Sequence, residues 1–163
     1  MLDKVIRGTA VAMLLTCAAP VVAHGPAAKT AAVITLAPSA RSAAATVDAF
    51  HSALRRGDTR AATALLANDV LIFEGGGVER SRAEYESHHL GADAEFSKAV
   101  PSMLTRRSGE AHGTMAWIAS EGRITGTYKG KPVDRLTAET IVLRRAGRGW
   151  KIVQIHWSSA AAR

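Results

Sequence analysis

From residue 103 to residue 158 the chain alternates apolar and polar side chains with a period near two, interrupted only by connections of two to five residues. Residues 103–107, 114–120, 123–128, 134–145 and 150–158 therefore read as strands, with turns or a bulge at 109–113, 121–122, 129–132 and 146–149. Parallel pairing needs a crossover of about a dozen residues or more, so connections this short leave only antiparallel hairpins.

Upstream the period changes. Val47, Phe50 and Leu54 share one helical face, with Asp48, Arg55 and Arg56 elsewhere on the wheel and Gly57 as the stop. This predicts an amphipathic helix from Thr46. Asp58 or Thr59 caps a second, shorter helix carrying Ala62, Leu65 and Leu66 on one face. Asn68-Asp69 breaks it, 70–73 is a short strand, and Gly75-Gly76-Gly77 is a loop at a pocket mouth. Ser81-x-x-Glu84 is a capping box that opens a third helix, with Tyr85, His88 or His89, Ala92 and Phe96 along one stripe and Pro101 at its end. Helices first and a meander after make an α+β domain, expected over 46–159.

The N-terminus reads as an address. Lys4 and Arg7 precede a run without charge over 9–23, and Val21-Val22-Ala23 places small side chains before a cut at His24. That is a secretory signal peptide over 1–23, too short in its apolar run for the ~20 residues of a bilayer span. Leu14-Leu15-Thr16-Cys17 approximates a lipobox, but Thr16 departs from its small-residue rule, so a soluble periplasmic or secreted protein is expected. Cleavage removes the only cysteine, and with it any disulfide. Residues 24–45, rich in Ala with Pro26 and Pro38, read as a mobile leader.

Lys and Arg together number 21 against 14 acids, yet they are scattered in ones and twos among apolar residues and acids. Neither a basic helix nor an aromatic stacking platform occurs, so nucleic acid is not an expected partner.

The order of elements, the run Val47-Asp48-Ala49-Phe50-His51-Ser52-Ala53-Leu54-Arg55-Arg56-Gly57-Asp58 and the ending Gly149-Trp150-Lys151-Ile152-Val153-Gln154-Ile155-His156-Trp157-Ser158 resemble the nuclear transport factor 2-like superfamily. Within it the chain is most similar to SnoaL-like domains, over about residues 45–159. The resemblance implies a cone: three N-terminal helices packed in a bent antiparallel sheet, with a pocket open at one end and dimers formed through the outer sheet face. It implies no single chemistry, because the superfamily holds isomerases, cyclases, dehydratases, binding domains and assembly domains. The isomerase's Asp base and its oxyanion pair have no motif here.

Register places the polar candidates. A two- or four-residue hairpin loop within 146–149 pairs Arg145 with Trp150, Leu143 with Ile152, Ile141 with Gln154 and Glu139 with His156. Glu139 and His156 then form a carboxylate–imidazole pair inside the cone, the candidates for acid–base catalysis. Tyr85, His88, His89, Phe96, Trp117, Arg135 and Gln154 are the expected ligand-binding residues, with Trp117 and Phe96 as apolar wall and Arg135 at the rim. His88 and His89, adjacent on a helix, diverge by about 100° and cannot share a site. His51 reads as a helix-surface residue. On the last strand Lys151, Val153, Ile155 and Trp157 fall outward as an apolar stripe that a homodimer would cover.

No Gly-x-Ser-x-Gly, Cys–His pair or HExxH is present, and neither metal nor cofactor is expected. The expectation is an exported domain holding a small, largely apolar ligand. A cofactor-independent acid–base enzyme using His156 and Glu139, and a dimeric assembly domain with a vestigial pocket, are the alternatives.

Overall fold

The extra residue that bends the last strand sets the geometry of everything near the site. In Trp150-x-Ile152-x-x-Ile155-x-Trp157 a strict period of two can bury the first pair or the second, not both. The chain buries both by inserting Val153 as a bulge, which shifts the register between Leu143 paired with Ile152 and Val142 paired with Gln154. The computed structural model in which this is seen describes residues 31–162. The expected signal peptide, its cut at His24, Cys17 and the first residues of the leader lie outside the described residues.

The elements run β1 (Val33–Leu36), a 3-10 turn (Pro38–Ala40), α1 (Arg41–Arg56), α2 (Thr59–Ala64), β2 (Leu66–Glu74), β3 (Gly77–Glu79), α3 (Arg82–His88), α4 (Leu90–Ala99), β4 (Ser102–His112), β5 (Met115–Tyr128), β6 (Lys131–Ala146) and β7 (Gly149–Ala161). They build one sheet in the order β1-β4-β5-β6-β7-β2-β3. The meander β4 to β7 is antiparallel as expected, while β1 joins β4 and β2 joins β7 in parallel. Among the described residues no helix is long and apolar enough to cross a membrane.

Several boundaries differ from the sequence reading: α2 ends at Ala64, so Leu66 and Asn68-Asp69 belong to β2 rather than to a helix and its break, and residues 109–112 extend β4 instead of forming a turn. Part of the expected leader is ordered: β1 pairs with residues 106–109 of β4, and α1 begins at Arg41 because Ala43 and Ala44 already pack into the core. Leu36 reaches that core because Gly109, opposite it, has no side chain; a Cβ there would lie 2.6 Å from Ile118 Cδ1 and 3.1 Å from Leu36 Cδ2. The third helix is two, α3 and α4, broken at His89. Glu121 and Gly122 lie inside β5 rather than in a turn.

Local signals behave as their chemistry requires. Gly57 ends α1 at φ 71°, Asp58 caps α2 by accepting from the Ala61 amide at 2.9 Å, and Ser81 accepts from the Glu84 amide at 3.0 Å. Glu84 reaches back to the Arg80 amide at 2.7 Å. The triple glycine is the tip of the β2–β3 hairpin, with Gly75 and Gly76 at φ 57° and 87°.

The core lies between α1 and the inner face of the sheet. Val47, Phe50 and Leu54 press on Ile118, Ile141, Leu143, Ile152 and Ile155, each at most 2% exposed. At about 25 cal/mol per Å2 of apolar surface buried, such side chains contribute roughly 1.5–3 kcal/mol apiece, enough to hold the sheet curled around the helix.

Candidate functional site

Residues paired across adjacent strands share a face, so the inner face can be followed row by row. Gly109, Ile118, Ile141 and Ile155 form an apolar row under α1. The next row is Arg107, Ser120, Glu139 and Trp157, and beyond it come Gly122, Thr137 and Ser159, then Ile124, Arg135 and Ala161. Burial falls along the same direction, from Ile118, Ile141 and Ile155 at 0% exposed to the half-buried Thr137 and the exposed Arg135 and Ser159. The row from Arg107 to Trp157 thus marks where the buried core ends.

Two side chains of α1 descend on this row. Asp48 and His51 are three residues apart and so share a side of the helix. His51 Nε2 lies 2.7 Å from Glu139 Oε2, and the Trp157 indole N–H donates to that same oxygen at 2.7 Å. Phe50 stacks on Trp157 with ring centroids 6.4 Å apart. On the other side of Ser120, Arg107 donates to Asp48 Oδ1 at 2.5 Å and to Ser120 Oγ at 3.2 Å.

Burial acts to raise the Glu139 carboxyl, but His51, the Trp157 N–H and Arg107 outweigh it and hold it below the usual carboxylate range. Glu139 is therefore a buried anion at neutral pH. Bound through Nε2, the His51 ring is assigned its proton there, and Nδ1 is left as the acceptor. The His51 side chain keeps 28% of its surface exposed against 9% for Glu139, so the imidazole is the member of the pair that a ligand can touch.

The expected residues do not converge on one site. Glu139 is on the inner face as expected, but His156 is not beside it. The bulge at Val153 turns His156 to the outer face, opposite Thr140, where it is exposed and packs edge-on against Phe73 at 6.3 Å. The expected Glu139–His156 pair is thereby replaced by His51 and Trp157. Gln154 follows His156 outward beside Val142 and Leu71, and Trp117, opposite Val142, stands on that outer face 38% exposed rather than inside the cone. Ile155 and Trp157, expected outside, face α1. Arg135 is on the inner face two rows beyond Glu139 and binds Ser159 Oγ at 2.9 Å. Phe96 packs edge-on against Tyr128 at 5.1 Å.

Tyr85, His88 and His89 belong to a separate acidic group at the β2–β3 hairpin. Tyr85 is fully buried and donates to Asp93 Oδ2 at 2.8 Å. His89, at the junction of α3 and α4, pairs through Nδ1 with the buried Glu79 carboxylate, which holds the imidazole above its ordinary range. Burial, then Asp93, pushes the Glu74 carboxyl up, and burial does the same to Asp93 against the opposing Tyr85 bond and His89 charge. Glu74, Glu79, Glu84, His88 and His89 line a cleft of about 460 Å3 there. A second cleft of about 560 Å3 lies at the β1 edge, lined by Ile34 to Ala37, Ser108 to Glu110 and Trp117, with Glu110 as its one ionisable group among those residues.

Sequence reasoning missed His51, Asp48, Arg107, Ser120 and Trp157. A signal for two of them was present: Asp48 and His51, at i and i+3, border the apolar stripe of α1.

A long helix laid in the curve of a mainly antiparallel sheet, with a polar row where the core opens, defines a cystatin-like α+β cone of the nuclear transport factor 2-like kind. The SnoaL-like domain profile matches residues 43–162, and the chain belongs to that family. A provisionally named ketosteroid isomerase from Shewanella frigidimarina is 37% identical with a TM-score of 0.71, over 76% of this chain and 100% of that one. A provisionally named dehydratase of the same superfamily from Streptomyces avermitilis is 22% identical, TM-score 0.62, over 76% and 97%. The S. rosetta CaMKII hub is 20% identical, TM-score 0.65, over 76% and 98%; these last two are similar in fold. No functionally curated protein matches the sequence.

Proposed function

We propose that this SnoaL-like domain is exported, to the periplasm or beyond, and holds a small, largely apolar molecule at the open end of its cone, with His51 as the polar group that meets it. The observation that carries this is the Glu139 carboxylate, gripped at 2.7 Å by both His51 Nε2 and Trp157 Nε1 in a buried row. A charge is costly to bury, and this one orients a half-exposed imidazole at the edge of an apolar core. Export rests on the basic start, the uncharged run and Val21-Val22-Ala23. Native mass spectrometry of protein taken from its own periplasm should show a chain starting at His24 with a retained small molecule. The folded His51→Asn variant should lose that molecule, and retention of it overturns the reading.

The same pair favours a second reading, cofactor-independent acid–base catalysis of the isomerase, cyclase or dehydratase type. Glu139 fixes the tautomer that leaves Nδ1 free to take a proton, the arrangement a general base requires. The name of the 37% identical Shewanella protein points the same way. Turnover that disappears in His51→Asn while the fold persists separates catalysis from binding.

A homodimer through the outer sheet face accompanies either reading. Leu71, Phe73 and Trp117 stand there 36–38% exposed, with Val142 between them, a patch that water would disfavour. Hub domains are among the structural neighbours.

A further inference from the structure

Arg107 is a buried cation whose counter-ion stands in water. Its side chain is 9% exposed, while that of Asp48, 2.5 Å away, is 65% exposed. A guanidinium carries five donor hydrogens, and among the described residues Arg107 gives one to Asp48 and one to Ser120. No partnerless side-chain nitrogen or oxygen among the described residues is fully sealed, so Nη2 of Arg107 retains some contact with solvent. Withdrawing a guanidinium from water is costly, and a carboxylate that stays 65% exposed is a weak partner to offset it. The pairing leaves room for a better anion.

The surroundings specify which anion. Arg107 and Glu139 flank Ser120 in one row, and Asp48 and His51 hang over that row from one turn of α1. A molecule entering over Gly122 and Thr137 meets the imidazole on one side and the guanidinium on the other, with the partly buried Trp157 indole, backed by Phe50, as its apolar contact. A planar carboxylate fits the fork of Arg107 through two parallel N–H donors, which a single Asp48 oxygen does not use. Exchange keeps the charge of the row constant, because one carboxylate leaves for water as another arrives.

We propose that Arg107, with Ser120 Oγ beside it, is the docking point for the carboxylate of a small apolar carboxylic acid, which displaces Asp48 from the guanidinium. This rests on the reading that a ligand meets His51, and it adds the ligand's chemical class. Asp48 is then a resident stand-in for the ligand: it keeps Arg107 neutralised when the site is empty and swings into solvent when it fills.

The test uses the mature chain and two probes of one shape, cyclohexanecarboxylate and cyclohexanecarboxamide, titrated by NMR on the Arg107 Nε–H and Trp157 Nε1–H resonances. The carboxylate should bind at least tenfold more tightly and move both resonances, while the amide moves Trp157 alone. Asp48→Asn removes the resident competitor from an exposed position and should tighten carboxylate binding several-fold without changing the amide. Arg107→Gln should abolish the preference. Equal affinities with a moving Trp157 resonance overturn the anion site and leave the His51 reading standing. A Trp157 resonance that neither probe moves overturns both. An Asp48→Asn variant that binds the carboxylate no better than wild type overturns the exchange even if Arg107→Gln does not fold.

Discussion

His51 on α1 and Glu139 on β6 approach to 2.7 Å, and through that contact the central helix is tied to the polar row of the sheet. Neither residue alone is unusual. Together they place a charge at the boundary between a dry core and the open end of the cone, where its strength is least screened and its partner is still reachable.

Replacing Glu139 by Gln should lower stability by about 1–3 kcal/mol at pH 7, because the amide keeps the indole bond and loses the charge-assisted contact with His51. The pH dependence has a definite sign. The folded carboxyl titrates below its unfolded value, so its contribution is complete above about pH 5 and is lost as pH falls through and below the unfolded value of about 4.3. Urea unfolding should show a constant gap between wild type and variant from pH 6 to 7, closing below about pH 4. A gap that persists into acid contradicts a buried Glu139 carboxylate held by these contacts.

Tyr85→Phe removes the donor to Asp93, a carboxylate that burial already pushes up. The sign is opposite to that of Glu139. A folded carboxyl above its unfolded value costs stability once it ionises, and losing the tyrosine makes that cost larger. The variant should therefore be weaker than wild type by about 1–3 kcal/mol at pH 7 and by less at pH 4, read by denaturant unfolding at the two pH values.

Gly109→Ala should lower the melting temperature by several degrees. Its Cβ would lie 2.6 Å from Ile118 Cδ1 and 2.7 Å from the Trp117 carbonyl, so the core or the β1 pairing has to give. Overpacking of this kind costs about 1–3 kcal/mol. Amide exchange should report faster opening of β1 in this variant than in wild type.

Phe73→Arg with Trp117→Arg should convert a dimer to a monomer in light scattering while leaving the circular dichroism unchanged. Trp157 is unsuited to this test: it faces inward and stacks on Phe50, so Trp157→Arg should unfold the domain rather than split it. Wild type that is monomeric at micromolar concentration contradicts the outer-face interface.

Local chemistry was legible in the chain and decided most of the fold. The caps at Asp58 and Ser81, the stop at Gly57 and the hairpin turn near 147–148 act within a few residues, and each appears in the structure in the expected place, whereas the turn expected at Glu121-Gly122 is absorbed into β5. The apolar stripe of Val47, Phe50 and Leu54 likewise carries its own burial in its spacing. Such signals require no knowledge of what lies across the molecule.

The site was decided by what lies across it. A single inserted residue, Val153, reverses the phase of every side chain after it, and the choice to insert it belongs to the core: Trp150, Ile152, Ile155 and Trp157 all gain burial only with the bulge. That choice moved His156 to the outer face and gave Glu139 to His51 and Trp157. Asp48 and Arg107 are far apart in the chain and acquire a shared role only when α1 is laid across β4. Period and capping are properties of neighbours in sequence; the pairing of buried charges is a property of packed layers, and only the tertiary structure supplies those layers.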